Sequence, residues 1–136
     1  MLEGSWRLLS WEIRQEGRSR HPFGPDATGL LVYAADGGMS AVIARAGRAP
    51  LSAAVPRQAP AAERLAAFDS YFHYAGTWRT ERRGDAIVVI HRVTHSLNPA
   101  LVGTEHLRHV DLDGDRLTLR AEEGPRLHRL SWARAW

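Results

Sequence analysis

Glycine-bearing turn signals at Asp36-Gly37-Gly38, Arg83-Gly84-Asp85, Asp113-Gly114 and Glu123-Gly124-Pro125 constrain the fold of this chain more than any other feature. A tight hairpin needs positive φ at its centre, and glycine takes that conformation without a steric cost. Between such signals lie runs in which apolar and polar residues alternate with the period of a strand that has one wet face. The runs are Gly4–Arg14, Leu30–Ala34, Met39–Ala44, Gly76–Glu81, Ala86–Ser96, Thr104–Leu112, Arg116–Ala121 and Leu127–Arg134. Short strands joined largely by hairpins predict an all-β, up-and-down antiparallel barrel of about eight strands, a single domain over residues 1–136. One segment breaks the pattern. Across Ala61–Tyr74, Leu65, Phe68 and Phe72 recur at spacings of three and four among alanines, which predicts a helix between the third and fourth strands. Gln15–Gly29 and Arg45–Pro60, rich in glycine, proline and charge, read as loops.

Composition removes several chemistries. The chain has no cysteine, so disulfides, thiol nucleophiles and thiolate metal sites are excluded. It has no lysine either, all 18 basic side chains being arginine, which excludes a lysine Schiff base. The sequence pI of 10.1 comes with a net charge of only +3 and with arginines scattered singly, so no nucleic-acid platform is expected. No apolar run approaches the length of a membrane span, and MLEGSWRLLSW lacks the features of a signal peptide. A cytoplasmic location without membrane contact is the expectation.

Chemistry-bearing residues concentrate in Ile87–His109, which carries His91, His95, His106 and His109 of the seven histidines, with Arg108. If Asp113-Gly114 is a two-residue turn, Arg108 lies opposite Leu119 and Val110 opposite Leu117, so His106 and Arg108 face inward and His109 outward. A four-residue loop at Glu122–Pro125 extends the inner face to His128, Leu130 and Trp132. Parity on Ala86–Ser96 places Val89, His91, Val93 and His95 inside, and Tyr74, Gly76 and Trp78 share one face. The irregular Leu97–Gly103 loop leaves the partners of His91 and His95 open, because a one-residue slip inverts a strand.

Gly4-Ser5-Trp6 on the first strand and Arg134 on the last resemble the lipocalin-type signature, in which a tryptophan closes one barrel end and an arginine packs over its ring. More narrowly, GSWRLLSWE, HPFGPDATGLLVYAADGGMSA, YFHYAGTW, HRVTHSLNPALVGTEHLRHVDLDGDRLTL and LSWAR are similar to the bacterial lipocalin-like domain family over nearly the whole length. The resemblance implies a pocket for a small apolar molecule. It also implies an alternative, since some lipocalin-like proteins act in biosynthesis as cyclases or isomerases without a cofactor.

The residues allow several readings of that pocket. His91 and His95, four apart on a strand, would lie roughly 13 Å from each other and cannot chelate one ion as a helical pair would, so no metal or other cofactor is expected. An inward His91 is either satisfied by a neighbouring hydroxyl or carbonyl, or serves as a pocket donor or general acid–base. Arginine is costly to bury unpaired, so Arg108 needs an acidic partner such as Glu12 or Asp69, or else a ligand acid or carbonyl. The candidate catalytic residues are His91 and Arg108. The candidate ligand contacts are Tyr33, Tyr74, Trp78, His91, His95, His106, Arg108 and Trp132. The expected partner is a small apolar or amphipathic molecule, and a homodimer is open.

Overall fold

A computed structural model describes residues Met1–Trp136. Nine strands form one antiparallel sheet: β1 (Gly4–Gln15), β2 (Arg18–Arg20), β3 (Thr28–Tyr33), β4 (Gly38–Ala44), β5 (Tyr71–Arg83), β6 (Ala86–Ser96), β7 (Glu105–Asp113), β8 (Arg116–Glu123) and β9 (Arg126–Arg134). The order is β2-β1-β3-β4-β5-β6-β7-β8-β9, and β1 also pairs with β9. That last pairing closes β1 and β3–β9 into an eight-stranded barrel, with β2 as a short annex on the far end of β1. Closure leaves only that annex as a free edge.

The helix α1 (Ala61–Asp69) lies after β4, not between the third and fourth strands, because β2 arises inside the segment read as loop. It also ends earlier than the periodicity predicts. Tyr71–Tyr74 instead start β5, where Tyr71 pairs Ala44, Phe72 pairs Ile43 and Tyr74 pairs Ala41. Without them the upper edge of β4 would be unpaired, so closing the barrel overrides the local helical pattern. No residue of α1 is buried, and Leu65 and Phe68 are exposed.

One barrel end is closed as the signature implies. The Arg134 guanidinium sits 3.9 Å from the centre of the Trp6 ring, and donates to Glu3 O at 2.7 Å and Met1 O at 2.9 Å. The Trp6 indole donates to Leu2 O at 2.9 Å, so the N-terminal residues are folded across this end with Leu2 and Trp6 fully buried. Gly4 has a positive φ, and a Cβ there would lie 2.9 Å from Arg134 Nη1.

The late hairpins differ from expectation by an even step. Asp113 pairs Arg116, so Gly114-Asp115 is the turn, Leu112 lies opposite Leu117 and Val110 opposite Leu119. Glu123 pairs Arg126, which sets Ala121 against His128 and Leu117 against Trp132. A shift of two residues keeps every side chain on its face. Two β-bulges do the opposite. On β1 the register breaks between Leu8 and Ser10, so Trp6 and Leu8 are followed inward by Trp11. On β6, Ala75 pairs His95 but Gly76 pairs Val93, leaving Thr94 as the extra residue. His95, expected inside, is therefore turned outward and exposed.

Gly76 makes the β6 bulge possible, since a Cβ there would lie 1.8 Å from Arg92 O. Gly76→Ala should cost at least about 2–3 kcal/mol, read as a lower urea midpoint at unchanged slope. An unchanged midpoint would mean that the bulge does not require glycine.

Candidate functional site

Above the Trp6 plug the barrel interior is only partly filled. A cavity of about 370 Å³ lies between the inner faces of β3–β9 and β1. Its walls are mostly apolar, including Leu31, Ile43, Phe72, Leu101, Leu130 and Trp132. Polar groups reach the lining from two places: Tyr74, His91, His106 and Arg108 from β5, β6 and β7, and Glu122, Glu123 and His128 from the β8–β9 hairpin. The Leu97–Gly103 loop does not slip the register: His91 pairs directly with His106 and Val89 with Arg108. Inside that loop the Asn98 side chain accepts from Ala100 N–H and fixes a 3₁₀ turn over Pro99–Leu101, which carries Leu101 to the cavity.

Apart from apolar and aromatic residues, His91 is the one buried side chain, 2% exposed. Both of its nitrogens are occupied: the Tyr33 hydroxyl lies 2.6 Å from Nε2 and the Tyr74 hydroxyl 2.6 Å from Nδ1. Burial, assisted by the Arg108 charge, lowers the His91 pKa from 6.5 to about 3. Burial likewise raises both tyrosines, with the Arg108 charge working against the rise. All three groups are therefore neutral at pH 7. Tyr33 has no other partner, so its O–H donates to Nε2 and His91 carries its hydrogen on Nδ1. That hydrogen goes to the Tyr74 oxygen, which leaves the Tyr74 O–H free to donate elsewhere.

His106 is held differently. Thr104 donates its hydroxyl hydrogen to Leu101 O, so at 2.8 Å it accepts from His106 Nε2–H. Nδ1 of His106 then keeps a lone pair, has no protein partner, and is not sealed from solvent. Burial and the neighbouring Arg108 lower the His106 pKa. Its ring lies 5.5 Å from that of Tyr74.

Arg108 donates from Nη1 to its neighbour's carbonyl, Leu107 O, at 3.1 Å. It joins none of the ion pairs of the protein. Glu12 pairs with Arg14, and Asp69 lies at the end of α1 without an ion pair, so neither supplies the acidic partner expected for an inward arginine. A half-buried guanidinium thus lines a largely apolar cavity beside Tyr74, with which it interacts, and has no carboxylate partner. The Trp132 indole N–H, on a cavity-lining residue 2% exposed, is also without a protein acceptor.

Of the sequence-predicted contacts, Tyr74, His91, His106, Arg108 and Trp132 meet at the cavity, whereas Tyr33, Trp78 and His95 do not line it. Tyr33 lies behind His91, Trp78 packs against Tyr33 with ring centres 4.8 Å apart and donates to Ala34 O, and His95 is outside the barrel. Sequence reasoning missed Trp11, Phe72, Leu101 and the mouth pair Glu123–His128, which are 3.3 Å apart. His128 had the correct face. Trp11 and Phe72 were hidden by the β1 bulge and the early helix end, and neither leaves a mark on local periodicity.

The profile of a family described as a lipocalin-like domain matches residues 3–135. No curated protein matches the chain.

Between pH 6.5 and about 3 the unfolded chain takes up a proton at His91 that the folded protein refuses. Stability is complete above about pH 6.5 and falls on acidification by up to about 1.4 kcal/mol per pH unit from this group. Urea midpoints from pH 7 to pH 4 should show this slope. His91→Asn should flatten it while lowering stability at pH 7 by about 2–4 kcal/mol through unpaired tyrosine hydroxyls. Equal pH slopes in the two proteins would contradict the assignment.

Proposed function

Because the chain belongs to the lipocalin-like domain family, we propose that it holds, inside its barrel, a small and mostly apolar molecule with a polar or acidic end. The observation that carries this reading is Arg108. An arginine cannot shed its charge, and burying that charge without a partner is unfavourable unless a ligand supplies one. A carboxylate, enolate or carbonyl oxygen placed between Arg108 and the Tyr74 hydroxyl would meet this need. The body of the molecule would lie along Phe72, Leu101, Leu130 and Trp132, in keeping with apolar cavities that use a few polar groups to orient a ligand.

A cofactor-independent cyclase or isomerase acting on a hydrophobic natural-product intermediate is the second reading. One observation favours it: a neutral imidazole with an uncommitted nitrogen, His106, stands beside a hydroxyl with an uncommitted hydrogen, Tyr74.

Trp11 and Trp132 line the cavity, so indole fluorescence should report binding. Titration with 2-naphthoate and 2-naphthylmethanol should give tighter binding of the acid. Arg108→Met should weaken naphthoate by about tenfold or more, the loss of one charge-assisted contact, and should change the alcohol far less. Naphthoate binding that is insensitive to Arg108, or absent, would overturn this reading.

A further inference from the structure

We propose that His106 and Tyr74 form an acid–base pair that moves a proton on an enolisable carbonyl compound, with His106 Nδ1 as the base and the Tyr74 hydroxyl as the donor to the carbonyl oxygen. This rests on the reading of the cavity as a binding site for a ligand with an oxygen-bearing end. It moves the chemistry away from His91, which the sequence put forward for that role.

Hydrogen-bond accounting carries the argument. His91 has no nitrogen left: Nε2 is occupied by Tyr33 and Nδ1 by Tyr74. It is a positioning residue, holding the Tyr74 oxygen still and orienting its hydrogen away from the imidazole. His106 has one nitrogen left, because Thr104 spends its own hydrogen on Leu101 O and can only accept from Nε2–H. A lone pair on Nδ1 and a hydrogen on Tyr74 therefore stand on neighbouring rings, 5.5 Å between centres, at the wall of one apolar cavity. Arg108 follows His106 by two residues on the same face of β7 and adds a fixed positive charge with no carboxylate within ion-pair distance, Glu122 and Glu123 of the lining included. The depressed pKa of His106 keeps its base form populated at neutral pH. A base, a hydrogen-bond donor and a cation within reach of one small molecule are the parts needed to form and hold an enolate.

The proton transfer needs no further reactant. His106 Nδ1 takes a hydrogen as H⁺ from the carbon next to the carbonyl. The C–H electron pair becomes a C=C bond, and the C=O π pair moves onto oxygen, where Tyr74 and Arg108 stabilise it. When the imidazolium swaps that proton for deuterium from D₂O before returning it to the same carbon, the carbon's hydrogen is exchanged; return to a conjugated carbon shifts a double bond. Either return restores neutral His106.

The test uses 2-tetralone, an apolar ketone with acidic α-hydrogens, in D₂O with catalytic amounts of the full-length protein, following loss of the α-CH signal by NMR. Wild-type protein should accelerate exchange over buffer by about a hundredfold or more. His106→Gln, which can still donate to Thr104 but has no basic nitrogen, should lose that acceleration. It should still bind 2-tetralone within about threefold of wild type, as read by indole fluorescence, since only the base is removed. Tyr74→Phe should slow exchange by about tenfold or more. If His106→Gln does not fold, His106→Ala with added imidazole replaces it, and imidazole should restore part of the exchange rate. Saturable binding without accelerated exchange, or exchange unchanged in both His106 variants, overturns the proton transfer and leaves the binding reading standing. Exclusion of 2-tetralone while 2-naphthoate binds has the same consequence. Binding of neither probe overturns both.

Discussion

Closure of the barrel through the β1–β9 pairing is the constraint on which everything else depends. Eight strands that leave no open edge must enclose an interior, and the side chains supplied to it determine whether that interior is core or cavity. At one end Trp6, Leu2 and Arg134 fill it: a ring, an aliphatic chain and a guanidinium whose hydrogen bonds end on the carbonyls of Met1 and Glu3. The arginine covers the tryptophan and also satisfies backbone acceptors of the segment that crosses this end. Charge-assisted bonds and a cation–π contact together make that plug worth about a few kcal/mol.

The other end is not filled, and the polar groups within it are arranged in two grades. Tyr33, His91 and Tyr74 form a buried chain with no unpaired atom at the imidazole, and burial keeps all three members neutral. Such a chain is structural in the sense that losing one member strands the others in a low-dielectric interior. His106 and Arg108, less deeply buried, keep free valences. The closed chain does have one consequence at the cavity: it determines which way the Tyr74 hydroxyl points. In this protein a fully satisfied network supports a partly satisfied one.

The bulges on β1 and β6 show why strand parity carries only so far. Up to Leu8 and up to Val93, alternation assigns faces correctly; beyond Thr94 the same rule puts His95 on the wrong side, and past Leu9 it would do the same to Trp11. A bulge adds one residue without changing the hydrophobic pattern on either side, so it is invisible unless the glycine opposite, here Gly76, is understood as a place where a Cβ has no room. The hairpin turns were mis-set by two residues, and that error was harmless because an even shift leaves faces intact. The family match over residues 3–135 agrees with the lipocalin-like resemblance that the sequence carries.

The sequence by itself determined the antiparallel barrel, the plugged end, the inward Tyr74, His91, His106 and Arg108, and the lack of cysteine and lysine chemistry. The plugged end follows from the family resemblance carried by Gly4-Ser5-Trp6 and Arg134; the rest follow from composition, turn residues and a period of two, which are properties of neighbours along the chain. Only the tertiary structure decided which inward groups are free to act. Whether a histidine nitrogen is spent depends on Tyr33, which reaches His91 from across the barrel, and on the direction in which Thr104 gives its hydrogen. Whether Arg108 has a carboxylate depends on where Glu12 and Asp69 come to rest. Those are contacts between residues far apart in sequence or set by loop geometry, and no local periodicity encodes them.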